Sequence, residues 1–159
     1  MRALRSVLAL VLALTLSACS SDVQVGVEAY ERGDYAAALE ELRPLAERGD
    51  ARAQYFLGSM NFYGAGVPRD LAEAVKWYRR AAERGDAEAQ TQLGTMCENG
   101  VGLPQDYVLS HMWFNLAATH LPAGPNSMLG ALNRDFIEKS MTPVQVAEAQ
   151  RLAREWKPK

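Results

Sequence analysis

Few side chains in this sequence could carry covalent or acid–base chemistry. The 159 residues include two cysteines, Cys19 and Cys97, and two histidines, His111 and His120, among scattered carboxylates. A thiol beside an imidazole makes an activated nucleophile, but Cys97 reads as filling a helix-packing slot. Ser110 and His111 are neighbours in sequence, so on a helix their side chains diverge by about 100° and form no dyad. His111 is expected at the surface or in a groove, and His120 at a helix end, where partial positive charge suits the dipole. No metal-ligand spacing, no G-x-S-x-G elbow and no phosphate-binding glycine loop occurs; Gly64-Ala65-Gly66 stands between two helical stretches and not after a strand. The sequence therefore predicts no catalytic residue, no metal and no cofactor.

Cys19 belongs to a different chemistry. Met1 to Arg5 is a short basic region, Val7 to Leu16 is apolar, and Leu16-Ser17-Ala18-Cys19 follows with small residues. The apolar run is about half of the ~20 residues needed to cross a bilayer, so it reads as a secretory signal and not as a spanning helix. Leu16-Ser17-Ala18-Cys19 resembles the bacterial lipobox, which implies that Cys19 becomes the lipidated first residue of the mature chain. The alternative is ordinary cleavage after Ala18, leaving a free thiol. Ser20 follows Cys19, where an aspartate would favour inner-membrane retention, so the expected location is the outer membrane, facing the periplasm. Without Arg2 and Arg5, 15 basic residues face 19 acidic ones, a net charge near -4 that offers no nucleic-acid footprint. Cys97 is then alone, so no internal disulfide is expected.

The elements that must position any site come from an internal repeat. Leu57, Gly58, Met60, Gly64, Gly66, Pro68, Asp70, Trp77, Ala81 and Ala82 are matched 36 residues later by Leu93, Gly94, Met96, Gly100, Gly102, Pro104, Asp106, Trp113, Ala117 and Ala118. A fixed period of this length predicts an all-α solenoid of antiparallel helix–turn–helix repeats. Aligning Gly26 with Gly58 and Asp34 with Asp70 gives offsets of 32 and 36, so the first repeat lacks four loop residues. Ala38, Leu39, Leu42, Leu45 and Ala46 form one helical stripe, answering to Ala74, Val75, Tyr78, Ala81 and Ala82. Pro44 lies within that helix and is expected to kink it. Gly33-Asp34, Gly49-Asp50 and Gly85-Asp86 mark unit boundaries: glycine ends one helix in the left-handed conformation and aspartate caps the next. These pairs produce three Arg-Gly-Asp triplets, which helix punctuation explains without a cell-adhesion role.

The chain divides into a signal peptide at 1–18, a tether at 19–25, repeats at 26–121 (26–49, 50–85 and 86–121) and a C-terminal capping hairpin at 122–159, about eight helices in all. His120 to Pro125 is a breaker-rich loop. One helix is expected from about Asn126 to Lys139. A second should open at Thr142 as N-cap, with Pro143 in its first turn and Gln145 reaching back, and run through Trp156.

These residues resemble the Sel1-like repeat family, a branch of the tetratricopeptide-type α-solenoids. Ala51, Ala53, Leu57, Gly58, Gly64, Gly66, Val67, Asp70, Ala74, Trp77, Ala81, Ala82 and Gly85 carry the motif once. Ala87, Ala89, Leu93, Gly94, Gly100, Gly102, Asp106, Trp113, Ala117 and Ala118 carry it again. Asn61 and Cys97 stand at the family's tyrosine position, Leu103 replaces its valine and Ser110 its alanine. The resemblance implies an adaptor that holds a protein or peptide on the concave face built from the first helices of the repeats. Residues there that the motif does not require are the candidate partner contacts: Arg52, Tyr55, Ser59, Phe62, Glu88, Thr91, Gln92 and Thr95. The alternative function is an envelope enzyme or glycan-binding protein acting on peptidoglycan or exported polysaccharide. Oligomeric state is not assigned.

Overall fold

A computed structural model describes residues 23–120 and 124–159 of the chain. The signal peptide, Cys19, the tether as far as residue 22, the His120 side chain and loop residues 121–123 lie outside the described residues. Eight helices and no strand are present among those described: α1 (23–31), α2 (Tyr35–Glu47), α3 (Ala51–Tyr63), α4 (Leu71–Glu83), α5 (Ala87–Asn99), α6 (Tyr107–His120), α7 (Pro125–Glu138) and α8 (Pro143–Glu155). No helix among them is long and apolar enough to cross a membrane.

Aspartates open five successive helices. Asp34, Asp50, Asp70, Asp86 and Asp106 each accept the N–H three residues on, at 2.8–3.2 Å. Each such cap is worth about 1 kcal/mol. Glu73 does not close a reciprocal box with Asp70; its carboxylate takes Lys76 instead, 2.8 Å away. The glycines preceding Asp34, Asp50 and Asp86 all have positive φ. α2 runs through Pro44 to Glu47.

Helix pairs close because one residue in each first helix has no side chain. A Cβ on Gly26 would lie 2.6 Å from Leu42 Cγ, one on Gly58 2.6 Å from Tyr78 Cδ1, and one on Gly94 2.5 Å from Phe114 Cε1. The three partners are each 36 apart, which confirms the register assigned to the shortened first repeat. Two cores follow. One gathers Val27, Ala38, Leu42, Ala46, Phe56, Leu57 and Met60 from α1, α2 and α3. The other gathers Tyr78, Ala81, Ala82, Leu93, Met96, Trp113 and Leu116 from α4, α5 and α6, with Ala153 from α8. Half-buried Tyr55 packs against both.

Neighbouring helices pack in sequence from α2 to α7, and α8 folds back onto α6. Both C-terminal helices thus rest on α6, and α8 covers the second core. α8 begins as its residues dictate: Thr142 accepts from the Gln145 N–H while Gln145 Oε1 accepts from the Thr142 N–H at 2.9 Å, with Pro143 in the first turn.

Candidate partner-binding groove

The first helices α3, α5 and α7 bring their side chains to one groove of about 280 Å³, lined by Tyr55, Glu88, Thr91, Gln92 and Leu129. Four of these five are among the eight contacts expected from sequence. Tyr55 stands on the α3 side, its ring 5.2 Å from Phe56 and 5.8 Å from Tyr78. Burial pushes its phenol pKa up, and Glu88 adds to the effect. Tyr55 is therefore a neutral, ring-locked wall with little rotamer freedom to lose on binding. Thr91 donates its hydroxyl to the Ala87 carbonyl at 2.9 Å, leaving its methyl and an acceptor for the groove. The Gln92 side chain makes no hydrogen bond among the described residues and the residue is half-buried, so its amide is available in both senses.

The other expected contacts fall elsewhere. Arg52 is exposed one turn before Tyr55, with its guanidinium 5.5 Å over the Phe56 ring. Thr95 is exposed beyond Thr91, to whose carbonyl its hydroxyl donates. Phe62 is half-buried near the α3–α4 turn, packed edge-on against Tyr63 and under Arg69 at 6.0 Å. Ser59 is a correction: only 4% exposed, it donates to the Tyr55 carbonyl and accepts from Tyr78 Oη at 3.1 Å. Its hydroxyl is spent satisfying a fully buried phenol, so it orients Tyr78 and presents nothing to a partner.

Leu129 was not expected, because α7 reads from sequence as a cap. The signal lay in its spacing: Met128, Leu132 and Phe136 recur every fourth residue, and all three, with Leu129, are exposed. α7 covers α6 with its inner face and extends the groove with an apolar outer one.

The groups suited to chemistry are not arranged for it. Cys97 is buried, and burial pushes its thiol up to about 11, so the thiolate is scarce at neutral pH. His111 is a second correction. It is 1% exposed and not in a groove, with Nε2 3.5 Å from a Glu138 oxygen and Nδ1 without a partner. Burial holds its pKa below the ordinary value. Ser110 is also fully buried and donates to the Gly94 carbonyl at 2.8 Å, which is why a hydroxyl can replace the usual alanine there. No group of three or more metal-ligating side chains occurs among the described residues.

Stacked, glycine-notched antiparallel helix pairs with a groove across their first helices define an α-solenoid. The chain belongs to the Sel1 repeat family, whose model matches residues 51–86 and 87–120. Among solved structures it is similar to c5321, a protective antigen of uropathogenic Escherichia coli displaying an SLR fold, with 31% identity and a TM-score of 0.78. That similarity covers 87% of this chain but only 29% of the antigen's. It is also similar to a Sel1 repeat protein from Oxalobacter formigenes, with 31% identity over 76% of this chain and 98% of the other, at a TM-score of 0.59. No curated protein matches the chain. Sel1 repeats generally mediate protein–protein interaction, and the scaffold is typically non-catalytic.

Proposed function

We propose that this chain is an adaptor of the bacterial cell envelope that holds a protein or peptide partner in the groove between α3, α5 and α7. The observation that carries the reading is the convergence of Tyr55, Glu88, Thr91 and Gln92, from two repeats, with Leu129 on one concavity. A rigid aromatic wall, an uncommitted amide and an exposed leucine supply the anchor, the polar contact and the apolar floor of a small interface. A photo-crosslinking residue placed at Gln92 should trap one discrete partner in cells, identified by mass spectrometry. Leu129→Glu should remove that adduct without changing helicity. An equal yield of the same adduct from a crosslinker at exposed Arg79 would refute the groove.

The adaptor is tethered through lipid on Cys19, in the outer membrane and facing the periplasm, as the lipobox-like residues and Ser20 suggest. Several acyl chains at one site make attachment stable where a single chain would not. Cys19→Ser should move the protein from the membrane to the soluble fraction; persistence in the membrane would count against the anchor.

A further inference from the structure

A second concavity, of about 350 Å³, opens where the α2–α3 turn meets the end of α4, and it shares no lining residue with the groove. On α3, Gln54 and Tyr55 diverge by about 100°, which separates the two sites. Gln54 lines this pocket and is 3% exposed. Its Nε2 donates to the Ala46 carbonyl at 2.9 Å, which fixes the amide's orientation, and its Oε1 has no partner. A buried acceptor without a donor is costly; Gln90 repeats the arrangement one unit on, donating to the Ala82 carbonyl at 3.1 Å with its Oε1 unpartnered, but of the two only Gln54 lines this pocket.

The rim supplies the opposite need. Arg48, Arg80 and Arg84 line the pocket, and no carboxylate lies within ion-pair distance of any of them among the described residues. Glu83 is already held by Lys159 Nζ at 3.0 Å, and Glu47 also lines the pocket. Arg80 is steadied over the Trp77 ring at 4.7 Å. Arg84 reaches the pocket because position 49 is glycine: a Cβ there would lie 2.9 Å from Arg84 Nη2. Guanidinium forks unmatched by carboxylates favour a planar, bidentate anion.

We propose that this pocket binds a small carboxylate bearing an N–H or O–H donor on the adjacent carbon. The carboxylate engages Arg48 and Arg84, and the donor serves Gln54 Oε1. A bare anion is disfavoured because α2 and α4 end here and direct their negative dipole ends at the site. A ligand with its own donor turns that carbonyl-rich surroundings to advantage. The end of α4 already accepts a peptide N–H: the Lys159 main chain donates to the Glu83 carbonyl at 2.8 Å. Acylated amino acids and α-hydroxy acids share the required chemistry.

The test is an NMR titration of the protein with N-acetyl-L-alanine and with L-lactate, following the Gln54 side-chain amide and the arginine Nε signals. Acetate lacks the donor, N-acetylalaninamide lacks the charge, and inorganic phosphate is a bare anion. Saturable shifts with at least one of the first two probes are expected, together with affinity at least tenfold weaker for all three controls; which probe binds identifies the source. Arg84→Gln and Arg48→Gln, both at exposed positions, should each weaken binding tenfold or more with helicity intact, whereas Arg151→Gln on α8 should not. Absence of saturable shifts with either probe, equal binding of any control, or unchanged affinity in both rim variants overturns the proposal.

Discussion

Asp86 joins helix capping to the groove. It accepts the Ala89 N–H at 2.8 Å to open α5, yet burial raises its pKa to about 6, with nearby Glu88 adding to the rise and Arg52 opposing it. The unfolded aspartate titrates near 3.8, so the folded chain holds its proton more tightly between 3.8 and about 6. Stability from this group consequently falls as pH rises across that window and stays reduced above it. Asparagine caps as well as aspartate and carries no charge. Asp86→Asn is expected to raise stability at pH 7 by about 1–2 kcal/mol and to flatten the dependence below pH 6, as read from urea midpoints. His111 works in the opposite sense. Its folded pKa lies below 6.5, so the unfolded chain protonates first and stability drops as pH falls below 6.5. In His111→Phe, which fills the same buried site without a titrating ring, that acid-side loss should disappear from the same urea series.

At the scale of the helices, the sequence disclosed what depends on local rules and concealed what depends on distant partners. The Gly-Asp boundaries, the caps of α2, α3 and α5 and the α8 capping box are set within four residues, and all were legible. The recurrence of Gly58 and Gly94 was visible in the repeat as well, but the rings they admit, Tyr78 and Phe114, were not. Ser59 was misread because its partner, Tyr78, is 19 residues away and reaches it only across the helix pair. His111 was misread because α7 and α8 both settle on α6, which nothing in the α6 sequence announces. The notch gives a test in which two effects compete. Alanine favours a helix over glycine by up to ~1 kcal/mol. A Cβ at position 94 would, however, meet the buried Phe114 ring at 2.5 Å, and overpacking of this kind costs about 1–3 kcal/mol. Gly94→Ala should therefore lower stability, with a reduced thermal midpoint; a gain would mean the helix pair can part without penalty.

Across the molecule, two cores joined chiefly through α3, α4 and Tyr55 make stability a sum of neighbouring contributions. α8 belongs wholly to the second. Ala149 and Ala153 are buried, and Leu152 and Trp156 pack against the α4–α6 core. The segment after it returns to α4 through the Lys159 N–H and the Glu83 carbonyl. Truncating the half-buried indole in Trp156→Ala removes apolar cover from the second core, against which it packs. The expected cost is about 2–3 kcal/mol, below that of a fully buried tryptophan. Because the solenoid couples units only through their interfaces, that loss should be uneven. Amide exchange should quicken in α5 and α6 well before α2 and the start of α3 respond. Uniform acceleration from α2 to α8 would instead show that the two cores unfold as one unit, and the groove, whose walls come from both sides of that junction, would then be no softer than the rest of the fold.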